Sequence, residues 1–214
     1  MHFVDLLKVI PAFALTALLL AIVPGQGVAM VLRQSIVGGK RAAFISVLGN
    51  SSGLIVWGLA SSIGLSEVFA HSHTAYNILK YAGVAFLVFL SIQTLLTLRS
   101  EHGKFDTSKG GAKLGLGPAY RLGLLTNLTN VKAAVFAVAF IPQFIPKDFS
   151  LGLGIFILAC VQATVSTLWY SFLISAVDRA SVALARPKVR RALTGLSAGG
   201  ILFLALTLLL TSPR

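Results

Sequence analysis

The sequence predicts an all-α fold: a polytopic membrane protein of six transmembrane helices, forming one domain from residue 1 to residue 214. Three observations predict it. The chain is 56% hydrophobic and only 11% charged, with a mean hydropathy of +0.88, whereas a soluble domain carries about 25% charged residues. Apolar segments recur along the whole chain at lengths that cross the roughly 30 Å hydrocarbon core of a bilayer. Basic residues collect in alternate gaps between those segments.

Each segment is justified by its apolar length. The first begins near Asp5 and Lys8 and lacks a small-residue cleavage site, so we expect a retained helix rather than a signal peptide. The third and sixth are the most uniformly apolar, and the fourth is the most polar because it contains Lys132. A spanning helix needs about 20 apolar residues. The segments cover about residues 6–32, 42–66, 76–98, 120–145, 150–177 and 192–211.

The distribution of Lys and Arg predicts the orientation. Thirteen of the 18 basic residues lie in the gaps after the first, third and fifth segments. Positive loops stay cytoplasmic, so both termini should be periplasmic and the loop of about residues 99–117 cytoplasmic. A formal charge of +12 also occurs in nucleic-acid-binding proteins, but those need a basic, water-exposed face. We therefore expect a lipid bilayer as the surroundings and no nucleic-acid partner.

Six spans divide into two halves of three, and halves with an odd number of spans insert with opposite topology. Inverted repeats of this kind build many secondary transporters. The topology therefore predicts a 3+3 inverted repeat, although no direct sequence similarity between the halves is obvious.

Several polar or helix-breaking residues fall at one depth. Pro24, Asn50 and Asn130 each lie nine residues from a basic boundary, or about 14 Å along a helix axis. Gln162 is close to the middle of the fifth segment, and Lys132 is just beyond Asn130. Four helices thus bring polar groups to the same layer, near the midplane of the bilayer.

Such residues are costly in lipid and mark substrate pathways in transporters. Proline and glycine break a helix and expose backbone dipoles, and a lysine ammonium suits a substrate carboxylate. The alternatives are a structural kink, a lysine that reaches the membrane interface, and asparagines that only join helices. The candidate substrate-binding residues are Pro24, Gly25, Gln26, Asn50, Asn127, Asn130, Lys132 and Gln162.

The fourth segment raises a problem of direction. At 100° per residue, Asn127 and Asn130 share one face of a helix, while Lys132 lies 200° from Asn130. A regular helix cannot direct both sets at one cavity. Either the helix is distorted there, or only one set lines the path. The aromatic residues, Tyr170 among them, are expected to be ordinary membrane aromatics unless they lie at a cavity.

The sequence lacks the residues that metal transport, disulfide formation or catalysis would require. No Asp or Glu is near the middle of a segment, so the hard ligands of a divalent-metal transporter are missing. Cys160 is the only cysteine, which excludes an intramolecular disulfide. No set of nucleophile, base and orienting acid is evident. The sequence therefore predicts neither an enzyme nor a cofactor.

Motifs in a fixed order carry a family resemblance. The chain has a Pro-Gly in the first segment, a basic stretch that opens the second, an aromatic signature in the third, and an Asn-Leu-x-Asn-x-Lys-Ala pattern in the fourth. These are Pro24-Gly25, Gly39-Lys40-Arg41-Ala42, Leu79-Lys80-Tyr81-Ala82-Gly83-Val84-Ala85-Phe86-Leu87, and Asn127-Leu128-Thr129-Asn130-Val131-Lys132-Ala133-Ala134 followed by Pro142-Gln143-Phe144.

In this order the motifs resemble, nearly end to end, the lysine exporter and homoserine/threonine resistance family, LysE/RhtB. The resemblance implies a secondary transporter that exports amino acids or close derivatives across a bacterial inner membrane, driven by the proton gradient. Two positions depart from the family pattern. Gln26-Gly27 follow Pro24-Gly25 where relatives have a second proline, and Val131 replaces the proline before Lys132, which implies a straighter fourth helix.

Two other functions stay open at this point. One is a scaffold or assembly protein of the membrane, in which the polar layer only joins helices. The other is an exporter of metal or another solute within the wider superfamily. The amino-acid substrate, the coupling ion and a homo-oligomeric state are likewise open.

Overall fold

A computed structural model describes most of the chain, and every element in the described residues is helical, without strands. The described positions are 2–23, 25–71, 114–146, 148–177 and 187–210, together with 74, 77, 78, 81, 82, 84, 85, 88, 89, 92 and 96. Most of the predicted third segment, Pro24 and residues 99–113 of the predicted loop therefore lie outside the described residues.

Seven α-helices form the described part. A π-helical turn, Phe136–Phe140, and a 3₁₀ turn, Ile141–Phe144, extend the fifth helix. In chain order the helices are α1 (His2–Ile22), α2 (Gln26–Val37), α3 (Gly39–His71), α4 (Leu116–Leu128), α5 (Val131–Val135), α6 (Leu151–Ser175) and α7 (Pro187–Leu210).

Among the described residues, three helical stretches are long and apolar enough to cross a membrane, namely Val4–Ile22, Gly39–Gly64 and Leu151–Ser175. A bent pair, Leu116–Leu128 with Val131–Phe144, makes a fourth when it is counted as one span. The 25 residues of α6 extend about 37 Å along the axis, enough for the hydrocarbon core. The sixth predicted segment, residues 192–211, coincides with α7 up to residue 210.

Two of the predicted spans are broken near their middles. The first predicted segment divides into α1 and α2, because the helix ends at Ile22 and restarts at Gln26. The fourth divides into α4 and α5, which meet at a 58° bend. The bend corrects the expectation that Val131, in place of proline, leaves this helix straighter. The helix is distorted there without a proline, which resolves the problem of direction in the fourth segment.

Helices α3 and α4 cross at very close range. We call Gly49 and Gly53 of α3, with Gly123 of α4, the glycine crossing. A Cβ atom at Gly49 would overlap the carbonyl oxygen of Tyr120, and one at Gly53 would lie 2.6 Å from Cβ of Asn127. Small residues allow this approach, as is usual for membrane helices. The crossing fixes α4, and so positions Asn127 beside α3.

An aromatic cluster packs α1 against the second half of the fourth span. Its members are Phe13, Phe136, Phe140 and Phe144, and their neighbouring ring centroids lie 4.8 to 5.9 Å apart. Phe13 and Phe136 are fully buried. The cluster packs the middle of α1 against the two turns that follow α5.

Candidate functional site

A cavity lies where the two helix breaks meet. Its empty space is about 350 Å³, including the open solvent at its mouth. The lining comes from α1, α3, α4, α5 and α6 and combines small apolar side chains with polar ones. The residues are Ala17, Leu20, Ala21, Asn50, Leu54, Asn127, Asn130, Lys132, Ala133, Gln162, Ser166 and Tyr170. Five of the eight predicted site residues, namely Asn50, Asn127, Asn130, Lys132 and Gln162, thus line one cavity.

Lys132 contacts the end of α1. Its Nζ donates a hydrogen bond to the carbonyl oxygen of Leu20 at 3.1 Å. In a regular helix that carbonyl would accept the N–H of residue 24, which is a proline and has none. The ammonium also opposes the partial negative charge at the C-terminus of α1. The contact therefore compensates the helix break of the first span from within the fourth.

Asn130 acts on the backbone at the second break. Its Oδ1 accepts the backbone N–H of Lys132 at 3.1 Å, and its own backbone is extended, with φ −83° and ψ 98°. This is the arrangement of a helix N-cap. The cap restarts the helix at Val131 in a new direction, so that Asn130 and Lys132 both reach the cavity.

The buried amides form the opposite part of the lining. Nδ2 of Asn127 donates to Oδ1 of Asn50 at 3.3 Å, and both residues are almost fully buried. Oδ1 of Asn127 and Oε1 of Gln162 are buried and have no hydrogen-bond partner among the described residues. The backbone of Asn127 also forms a hydrogen bond: its carbonyl oxygen accepts from Nε1 of Trp57 at 3.4 Å.

The three residues of the first break differ in their placement. Pro24 lies outside the described residues. A Cβ atom at Gly25 would be 3.9 Å from Nζ of Lys132, so the backbone at the start of α2 lies beside the ammonium. No side chain caps that N-terminus. Gln26 begins α2, but its side chain is exposed and outside the cavity lining, which places its backbone, not its amide, near the site.

Two polar residues of the lining were absent from the candidates. Ser166 and Tyr170 of α6 are both buried and line the cavity. A Cβ atom at Gly27 would overlap the hydroxyl of Tyr170, so the tyrosine packs against the glycine that follows the first break. Gln162, Ser166 and Tyr170 are spaced by four residues. That helical spacing from Gln162 is the signal in the sequence that could have found them.

The charge of the cavity is one-sided. Among the described residues that line it, Lys132 is the only ionised side chain at neutral pH, and none is acidic. The described residues contain no group of three or more His, Cys, Asp or Glu that could hold a metal ion. The lining can therefore oppose an anionic group with an ammonium and receive donor groups on amide oxygens.

Comparisons with known proteins identify the family of the chain. The model of the LysE type translocator family matches residues 18–212. The homoserine/homoserine lactone efflux protein of Salmonella typhimurium is 31% identical over 203 residues, which cover 95% of this chain and 96% of that protein. The leucine efflux protein of the same organism is 28% identical over 159 residues, 74% of each chain.

A third relative is the uncharacterized membrane protein YrhP of Bacillus subtilis, 27% identical over 175 residues that cover 79% of this chain and 83% of that protein. No solved structure matches the chain. The family match covers nearly the whole chain, and the apolar helices fit a bilayer. The chain is therefore a multi-pass membrane protein that belongs to the LysE type translocator family, whose characterised relatives here are efflux transporters and not enzymes.

Proposed function

We propose that the protein is a secondary transporter that exports amino acids or close derivatives, and that the cavity between the two helix breaks is its substrate site. The observation that carries this proposal is Lys132, an ammonium in the cavity lining that has a backbone carbonyl, and no described carboxylate, as its partner. A charged residue inside a membrane protein costs about 2.5 to 3.5 kcal/mol on insertion scales and usually faces a pathway or a partner. A substrate carboxylate is the missing partner.

The position of α2 supports the same assignment. Its N-terminus begins at Gln26, beside Nζ of Lys132, without a side-chain cap. The first N–H groups of a helix point outward and favour an anion. A carboxylate between these N–H groups and the ammonium would receive hydrogen bonds from both. In other secondary transporters, the N-termini of broken helices likewise point at anionic groups of the substrate.

The relatives indicate the substrate class. They are named for efflux of homoserine, homoserine lactone and leucine. Each of these compounds has an amino group and an oxygen that can accept a hydrogen bond from an ammonium. A membrane scaffold would need no cavity at this place, and a metal exporter would need ligands that the lining lacks. Both features favour amino-acid export over those alternatives.

Replacing Lys132 by Met tests the role of the ammonium. We expect the variant to insert, because methionine preserves the apolar part of the chain, while efflux falls about 10- to 100-fold, since a charged hydrogen bond contributes about 1.5 to 3 kcal/mol. The measurement is intracellular accumulation of homoserine, leucine and the other proteinogenic amino acids in cells with and without the protein. Undiminished efflux by K132M would remove the role.

Lys8→Met is the matched control. Lys8 is exposed near the start of α1 and pairs with Asp5 at 2.8 Å, so its removal should leave efflux at the wild-type rate. Equal losses in both variants would indicate a general effect of charge on insertion. If no amino acid is exported by the wild type, the proposal of amino-acid export fails as a whole.

We also propose that a proton gradient drives the export, as the family resemblance implies. Proteoliposomes loaded with an exported amino acid can distinguish coupling to protons from coupling to other ions. An imposed pH gradient should accelerate efflux in sodium-free buffer, and a protonophore should abolish the acceleration. Acceleration by a sodium gradient alone would contradict the proposal.

For the topology, we propose six spans in an inner membrane, periplasmic termini, and a 3+3 inverted repeat. Two features support the repeat: the first and fourth spans are both broken, and the two polar residues of the following helices occupy matching places. Asn50 is the twelfth residue of α3, and Gln162 is the twelfth of α6. Reporter fusions after residues 40, 110 and 185 should be cytoplasmic, and fusions at both termini periplasmic.

A further inference from the structure

Two residues that line the cavity each have a buried amide oxygen without a hydrogen-bond partner among the described residues. Five buried polar atoms lack a hydrogen-bond partner among the described residues, and two of them, Oδ1 of Asn127 and Oε1 of Gln162, belong to residues that line the cavity. The exposed fractions of these residues are 2% and 3%. Buried polar groups are normally satisfied, so unsatisfied ones at a cavity indicate a donor that arrives with a ligand.

The contacts of Asn127 indicate which atom of its amide is available. Nδ2 of Asn127 donates to Asn50, which leaves Oδ1 as the free acceptor. Trp57 uses the backbone carbonyl of Asn127 and not its side chain. The two oxygens belong to different helices, α4 and α6, and each is the kind of acceptor that an ammonium N–H requires.

The same lining disfavours a second positive charge. Lys132 already supplies one ammonium, and none of the lining residues is acidic. The side chain of lysine or arginine would enter without a carboxylate partner, close to a like charge. The rest of the lining offers Ala17, Ala21, Leu54 and Ala133, which suit a short uncharged side chain.

We propose that Asn127 and Gln162 form an ammonium subsite, and that this subsite makes the cavity selective for α-amino acids with uncharged side chains. The inference rests on the proposed function, because it adds an ammonium-binding part to the site whose carboxylate-binding part is Lys132. The carboxylate lies at Lys132, the ammonium binds the two amide oxygens, and the side chain packs among the apolar residues. Deaminated analogues and cationic amino acids bind weakly.

Competition binding on the purified full-length protein in lipid nanodiscs tests this. The probes are radiolabelled L-leucine and L-homoserine, and the competitors are L-lysine and the 2-hydroxy acids in which a hydroxyl replaces the amino group. The hydroxy acids should bind about 10- to 100-fold more weakly than the amino acids, the effect of one hydrogen bond to a charged group. L-lysine should compete no better than the hydroxy acids.

The variant Gln162→Leu should lower amino-acid affinity about 10- to 100-fold and lower hydroxy-acid affinity less, because a hydroxyl is a neutral donor, so that the discrimination falls. Gln162→Glu should instead improve binding of L-lysine relative to wild type. A merely structural glutamine would lower both affinities together. The matched control is Gln34→Leu: Gln34 is also buried with an unpartnered Oε1, but it lies outside the cavity lining, and its loss should not change the discrimination.

The outcomes distinguish the two proposals. Equal affinity of wild type for amino acids and hydroxy acids overturns the ammonium subsite and leaves export intact. Discrimination that survives in both Q162L and an Asn127→Leu variant overturns it as well. If neither leucine nor homoserine binds or is exported, the proposed function fails, and the subsite fails with it.

Discussion

The glycine crossing and the cavity both involve α3 and α4, but their polar groups differ in hydrogen bonding. At the crossing, the hydroxyl of Ser46 donates to the carbonyl of Ala119 at 2.9 Å, and the helix backbones touch. In the cavity lining, Asn127 of α4 and Gln162 of α6 have buried amide oxygens without a hydrogen-bond partner among the described residues. The close helix contact leaves no room for an added group, whereas the cavity offers space beside these acceptors.

The difference separates stability from function. A closely packed crossing tolerates no added group. If the cavity is the substrate site proposed above, its unpartnered amide oxygens and its ammonium cost stability that binding recovers, which is typical of binding sites. Substitutions at the crossing should therefore change folding, and substitutions at the cavity should change transport.

The largest expected effect is at the centre of the crossing. In Gly123→Ala, the new methyl group would overlap the carbonyl oxygen of Ser46, which is backbone and cannot turn aside. We expect a loss of about 3 kcal/mol or more in the free energy of unfolding, because overpacking a tight contact shifts whole helices. The measurement is the thermal midpoint in detergent together with the yield of monodisperse protein.

Gly117→Ala in the same helix is its control. A Cβ atom at Gly117 would meet nothing within 4 Å, and alanine favours helix over glycine, so stability should be unchanged or slightly higher. A Gly123→Ala protein as stable as this control would mean that the crossing is looser than its contacts indicate.

A smaller effect is expected beside the cavity, where α2 packs against α6. In Gly27→Ala, the methyl group would overlap the hydroxyl of Tyr170, the far end of a side chain. We expect a loss of about 1 to 2 kcal/mol, since the ring must shift within a packed site. Adding Tyr170→Phe removes the overlapping atom and should restore most of the thermal midpoint. Additive losses in the double variant would contradict the contact.

The smallest effect concerns a single hydrogen bond outside both regions. The hydroxyls of Ser51 and Thr167 lie 2.6 Å apart and join α3 to α6. Ser51→Ala should cost about 0.6 kcal/mol, the average for such bonds between membrane helices. Denaturation in a series of detergent mixtures measures it, and Ser52→Ala, whose hydroxyl bonds within its own helix and to Tyr120, provides a comparison.

Much of the site was predictable because depth along a helix follows from residue count. Counting from basic boundaries predicted one layer for Asn50, Asn130 and Lys132, and all three line the cavity. The break of the first helix followed from the missing N–H of Pro24. Both inferences need only the rise of a helix and the chemistry of proline.

The sequence could not show in which direction a helix or a side chain points. The bend at Asn130 depends on a side-chain cap, and an asparagine inside a helix looks the same whether it caps, bonds to a neighbour or faces a ligand. For that reason Gln26 was included although its side chain is exposed, and Tyr170 was omitted although it is buried at the cavity. Only tertiary packing decides which face a residue turns inward.

The bond between Lys132 and Leu20 also constrains biogenesis. It joins residues 112 positions apart in the chain. Leu20 lies four residues before Pro24, so its carbonyl lacks the i+4 N–H that a regular helix provides. The donor comes from the later part of the chain, so we expect an amino-terminal fragment that ends before residue 132 to be degraded by membrane quality-control proteases faster than the full-length protein.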